Sequence, residues 1–85
     1  MRYFVYILYS ETAKKYYKGQ TGDLIQRLAR HNAGREKSTA AYRPWKLVWY
    51  TEKPTRATAM KLERYLKQLS GERIRLFILK YPIHE

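Results

Sequence analysis

The sequence predicts an α+β fold: a three-stranded, mainly antiparallel sheet flanked by helices, in the order β-β-α-β-α-α. Three observations lead there. The runs "YFVYILY" at Tyr3–Tyr9 and "WKLVWYTE" from Trp45 are rich in aromatic and β-branched residues, which suit strands. The segments after Asp23 and Thr55 carry apolar residues at helical spacing. No repeat, low-complexity tract or linker divides the 85 residues, so one domain over 1–85 is expected.

The elements follow in order. Tyr3–Tyr9 forms the first strand. "SETAKK" is a short polar hairpin loop, and "KYYKGQ" at Lys15–Gln20 is the returning strand. Gly19 gives the backbone freedom to leave the sheet. Asp23 is positioned as an N-cap for a helix from Leu24 to about Ala33, with Leu24, Ile25 and Leu28 as its apolar stripe and Gly34 closing it. "REKSTAAYR" is a polar loop before Pro44 and the third strand. Thr55 caps a helix over Arg56–Leu69, whose core stripe is Ala59, Leu62, Leu66 and Leu69. Ile74, Phe77, Ile78 and Tyr81 have helical spacing in a last short helix ended by Pro82. A sheet with helices on its faces buries these stripes.

Composition narrows the function. Eighteen Lys and Arg against seven Asp and Glu give a net charge of +11 and a pI near 10.1. That exceeds the charge of roughly +2 to +8 that keeps a small domain soluble, and such a field attracts polyanions. With no basic amphipathic helix at the start and no lipidation motif, nucleic acid is favoured over a membrane surface. No segment is long and apolar enough to span a bilayer. The N-terminal apolar run lacks a cleavage site of small residues and reads as a strand, not a signal peptide. The absence of cysteine excludes disulfides and thiolate metal sites and makes a cytoplasmic protein the default.

Several residues stand out as site candidates. With the hairpin loop centred between Glu11 and Thr12, Tyr6 faces Tyr17 across the two strands. Nine tyrosines in a small domain are mostly packing, so the pair alone is weak. Arg27 and His31, four apart on the first helix, lie on one face beside the Leu24/Leu28 stripe, at the rim of the buried side. A solvated cationic face is the plainer reading for Arg27 alone. Most carboxylates fall in loops or ends: Glu11, Glu36, Glu52, Glu72 and Glu85. Glu63 instead sits mid-helix, about 40° round from Ala59. It suits either an ordinary pair with Lys67, four residues on, or a hard oxygen ligand for Mg²⁺.

At these residues the chain resembles the GIY-YIG nuclease family. "FVY" with Tyr6 stands in the first motif and "YKG" with Tyr17 in the second, followed by Gln20-Thr21. Arg27 and His31 match the family's helical Arg and His, and Glu63 matches its metal-binding glutamate. "HNAG" and "RPWKLVWY" are similar to small single-domain bacterial members. Phe4 replaces the first motif's glycine, Lys18 a usual aliphatic, and Ser38-Thr39 a common Tyr-Thr pair. No asparagine follows Asn32 to match one that some members carry after the metal helix.

The resemblance implies a compact α/β domain that hydrolyses DNA phosphodiesters with one divalent metal, Mg²⁺ or Mn²⁺. In that reading Tyr6 helps deprotonate the attacking water, with Arg27 and the metal lowering its pKa. Tyr17 positions water or phosphate, and His31 relays the proton or assists orientation. Arg27 neutralises charge on phosphorus, and Glu63 holds the metal. The base among Tyr6, Tyr17 and His31 stays open. A tyrosine base predicts activity rising toward alkaline pH. Lys14, Lys15, Lys18, Arg30, Arg35, Lys37 and Arg43 are the expected phosphate contacts. The expected partner is DNA, with RNA the weaker candidate, cut in a structure-selective way in repair or recombination. The rival reading is a non-catalytic nucleic-acid-binding protein that keeps the nuclease fold.

Overall fold

A computed structural model of the chain describes residues 2–83; the terminal carboxylate Glu85 lies outside them. The elements are β1 (Tyr3–Ser10), β2 (Lys15–Thr21), α1 (Leu24–Asn32), α2 (Lys37–Ala40), β3 (Trp45–Lys53), α3 (Arg56–Lys67) and α4 (Gly71–Lys80). The sheet order is β2-β1-β3, with β1 central and antiparallel to both neighbours. Apart from the single helical turn α2, which interrupts the expected polar loop, this is the predicted order.

The alternation of β1 divides the core in two. Val5, Ile7 and Trp49 turn to one face and pack with Ala59 and Leu66 of α3 and Ile74 of α4. Tyr6, Leu8 and Trp45 turn to the other face, where Leu24 and Leu28 of α1 cover them. Val5, Ile7, Ala59, Leu66 and Ile74 are completely buried. Each of the larger aliphatic side chains contributes roughly 1.5–3 kcal/mol by leaving water.

The predicted caps form. Asp23 Oδ1 accepts the Gln26 N–H at 3.0 Å. Thr55 accepts from the Thr58 N–H in a capping box closed by the Thr58 hydroxyl. A third cap, not expected from the sequence, is Ser70, which opens α4 and accepts from the Arg73 N–H at 3.3 Å. Gly34 adopts φ +77° just beyond α1, a conformation that suits glycine.

Two local expectations change. The hairpin centres between Thr12 and Ala13, not between Glu11 and Thr12, so Tyr6 lies opposite Gly19 and Tyr17 opposite Leu8. The turn uses all of Glu11–Lys14, with Lys14 in the left-handed region at φ 54°. Because the register moves by an even number of residues, Tyr6 and Tyr17 still share a face and meet diagonally. Ile25, expected in the α1 stripe, is 85% exposed. Leu24 and Leu28 stack one above the other on the sheet, while Ile25 lies about 100° further round the helix.

Candidate active site

The register explains the glycine in the second strand. A Cβ on Gly19 would lie 2.6 Å from the Tyr6 hydroxyl oxygen and 2.8 Å from its ring carbon Cζ. The absence of a side chain at Gly19 therefore lets the Tyr6 ring lie across β2. Tyr6 is only 1% exposed, as is His31. The Tyr6 hydroxyl oxygen is 3.0 Å from His31 Nε2. Tyr17 closes the cluster, its ring centroid 4.8 Å from that of His31 and 6.3 Å from that of Tyr6. Sequence spacing puts His31 at the rim of α1's buried face; the fold takes it fully inside.

A buried imidazole needs a partner for its second nitrogen. Thr39 of α2 supplies one, with Oγ1 2.8 Å from His31 Nδ1. Thr39 is itself 1% exposed. The sequence offered only a threonine in a polar loop, and the useful signal was indirect: once His31 is inside, something must satisfy Nδ1. Asn32, the next residue, fixes the loop's return. Its Nδ2 donates to the Trp45 carbonyl at 3.0 Å, and its Oδ1 accepts the Trp45 N–H at 2.6 Å. The Trp45 indole N–H donates to the Thr39 carbonyl at 2.9 Å, so the start of β3 holds α2 over the histidine.

The electrostatics revise one expectation. Burial pushes the Tyr6 pKa well above its ordinary value of 10.0, with Tyr17 and Glu63 adding to the rise. Arg27 pulls it the other way, as expected of a nearby cation, but does not overcome desolvation. Tyr6 therefore stays protonated in the free protein, and a phenolate titrating near neutrality no longer supports an alkaline rise in activity. Burial also holds His31 below 6.5; Arg27 and Arg30 reinforce this and Glu36 opposes it. At neutral pH the imidazole is uncharged and able to accept a proton.

Glu63 is close enough for its charge to act on Tyr6. Its side chain is 17% exposed and pairs with Lys67 Nζ at 2.9 Å, the i,i+4 contact that the spacing permits. Among the described residues no group of three His, Cys, Asp or Glu forms a metal cage. A lone carboxylate on a basic surface fits Mg²⁺ or Mn²⁺, because Mg²⁺ commonly takes one or two carboxylates and completes its shell with substrate oxygens and water. It does not fit a structural zinc site.

The cations expected to meet phosphate do not form one surface around this cluster: Lys14, Lys15 and Lys18 line a groove with Tyr16 and Arg75, and Lys18, opposite Ile7, projects to the other face of the sheet from Tyr6. Lys14, Arg35 and Lys37 are exposed. Lys15 donates to the Tyr42 hydroxyl at 3.4 Å and lies 4.4 Å from that ring's centroid. Lys18 is half-buried, and desolvation together with nearby Lys67 lowers its pKa. Arg43 is exposed and lies over Gly34, where a Cβ would collide with its guanidinium. Arg30 is bound to Glu36 at 3.0 Å, which neutralises part of its charge.

A three-stranded antiparallel sheet with a tyrosine pair on one face, served by an arginine and a histidine from the next helix, defines a nuclease-type catalytic domain. The chain belongs to the GIY-YIG catalytic domain family, whose model matches residues 2–75. It is 42% identical over 69 residues to a UPF0213 protein of Listeria monocytogenes, covering 80% of this chain and 76% of the relative. A UPF0213 protein of Yersinia pestis is 37% identical over 67 residues, covering 78% and 70%. The solution NMR structure of a UPF0213 protein from Bacillus halodurans superposes with a TM-score of 0.63 at 29% identity, covering 95% of this chain and 86% of that one. No helix among the described residues is long and apolar enough to cross a membrane.

Proposed function

We propose that this protein is a metal-dependent DNA endonuclease, cutting by DNA structure rather than by base sequence and acting in repair or recombination in the cytoplasm. The observation that carries the reading is the buried Tyr6–His31 contact, 3.0 Å long, beside the charge of Arg27. A packing tyrosine does not need an uncharged histidine at its hydroxyl. A proton path away from an attacking water does. In this reading residues 1–85 act as one domain.

Tyr6 takes the proton of the attacking water as its own proton leaves toward His31. Arg27 balances the negative charge that grows on the phosphate. Tyr17, packed on His31, orients the water or the phosphate. Glu63 would hold the divalent ion once Lys67 releases it, and the bound ion would neutralise charge on the phosphate and the leaving oxygen. Lys14, Lys15, Lys18, Arg35, Lys37 and Arg43 contact the backbone of the substrate, with Arg30 contributing less because of Glu36. Neither a recognition helix nor a zinc finger is present among the described residues to read bases, which supports selection by shape.

One observation favours the alternative of a non-catalytic nucleic-acid-binding domain: the Lys67 ammonium already occupies Glu63. Cleavage of labelled duplex, flapped and four-way DNA with Mg²⁺, Mn²⁺ or EDTA separates the two readings. The endonuclease reading expects metal-dependent cutting that Glu63→Ala abolishes. Binding without cutting in every lane would replace it with the binding-domain reading.

A further inference from the structure

The polar atoms behind His31 determine more than its position. The Thr39 hydroxyl has one hydrogen. It lies 3.3 Å from the Glu36 carbonyl oxygen and 2.8 Å from His31 Nδ1. In the contact with Glu36 the hydroxyl is the donor, since a carbonyl can only accept; the same carbonyl also takes the Thr39 and Ala40 N–H groups at 3.1 and 3.0 Å. Thr39 Oγ1 is then an acceptor toward the imidazole, and Nδ1 must carry the ring's proton. A neutral imidazole has one N–H, which leaves Nε2 bare. Among the described residues the one hydrogen-bond partner of Nε2 is the Tyr6 hydroxyl, which in that arrangement donates to it. No buried side-chain polar atom among the described residues lacks a partner.

We infer that Thr39 is a positioning residue that holds His31 in its Nδ1–H tautomer, so that the proton of Tyr6 points at His31. The opposite tautomer would reverse the chain. Nε2–H would donate to the Tyr6 oxygen, and Tyr6 would face the substrate as a proton donor, unable to pass a proton to His31. The functional half of this inference rests on the nuclease reading; the tautomer itself does not.

The experiment is a two-bond ¹H–¹⁵N correlation of ¹⁵N-labelled protein near neutral pH, with no substrate present. The chain has two histidines, and a His84→Asn variant assigns their signals. Wild type should show His31 protonated at Nδ1. Thr39→Val removes the acceptor and should move the proton to Nε2. Thr39→Ser keeps the hydroxyl and should restore Nδ1–H. If the DNA panel reveals cutting, Thr39→Val should slow it about 10²-fold or more, the usual scale of acid–base assistance, and Thr39→Ser should recover it. A wild-type Nε2–H signal, or a Thr39→Val spectrum unchanged from wild type, would overturn the inference. If Thr39→Val does not fold, the wild-type and Thr39→Ser spectra decide it. A protein with the Nδ1–H signal that cuts nothing refutes the nuclease reading and leaves the tautomer assignment standing.

Discussion

Replacing Gly19 by Ala tests the packing on which the site depends. The added Cβ would meet Tyr6 at 2.6 and 2.8 Å and Tyr17 Cε2 at 3.2 Å. The first two distances are far inside carbon–oxygen and carbon–carbon contact, so something must move. The Tyr6 ring is rigid, 1% exposed and engaged with His31 at its far end. Overpacking of this kind costs about 1–3 kcal/mol. Against it stands a gain of roughly 0.5–1 kcal/mol, because alanine loses less backbone entropy in a strand than glycine. The net expectation is a loss of about 0–2.5 kcal/mol, centred on about 1 kcal/mol, or several degrees in Tm for a domain of this size. Urea unfolding of wild type and Gly19→Ala measures it. Gly71→Ala is the control: no atom lies within 4 Å of its added methyl, and the position opens α4, so stability should hold or rise. Because the Tyr6 hydroxyl must also leave His31, Gly19→Ala should abolish cleavage more completely than its stability loss explains. A Gly19→Ala protein of wild-type stability and wild-type cleavage would refute the packing account.

Three further outcomes follow. The pKa of His31 lies below its unfolded value of 6.5, so the unfolded chain binds more protons as pH falls past that value. The stability associated with neutral His31 is thus complete above pH 6.5 and lost as pH falls through the folded value. Urea midpoints of wild type and His31→Gln should converge on acidification, and parallel pH profiles would contradict this. Asn32→Ala strips both partners from the Trp45 backbone and should lower stability by about 1–3 kcal/mol; a loss under about 0.5 kcal/mol would show that water replaces the clamp. The logarithm of DNA affinity should fall linearly with the logarithm of salt concentration, with a slope near −0.9 per phosphate contacted. Arg35→Ala should reduce that slope by about 1 and Arg30→Ala by less, since Glu36 already holds Arg30; equal effects would mean the ion pair opens on binding.

Local chemistry was readable in the chain. Strand composition, helical spacing and the caps Asp23 and Thr55 are properties of neighbours in sequence, and they produced the element order. Pairing across the hairpin put Tyr6 and Tyr17 on one face, a result that survived the register error because the register was off by two residues, an even number. Spacing of four put Arg27 and His31 on one face of α1.

The tertiary structure decided what depends on distant neighbours. Hairpin register followed the four-residue turn and the left-handed Lys14. Whether Arg30 meets substrate or Glu36, and whether Glu63 meets Lys67, depended on which long side chains the fold brings together. The direction of the Tyr6 shift is the clearest case. From sequence, a neighbouring arginine argues for a lowered pKa. In the fold, the ring is 1% exposed beneath α1, and the loss of hydration outweighs the cation. Thr39 belongs here too, eight residues from His31 in a loop with no periodic signal, and brought to Nδ1 because Asn32 and the Trp45 indole hold that loop down. Periodicity is local and can be read along a chain, whereas desolvation and hydrogen-bond partnership exist only once the chain has closed on itself.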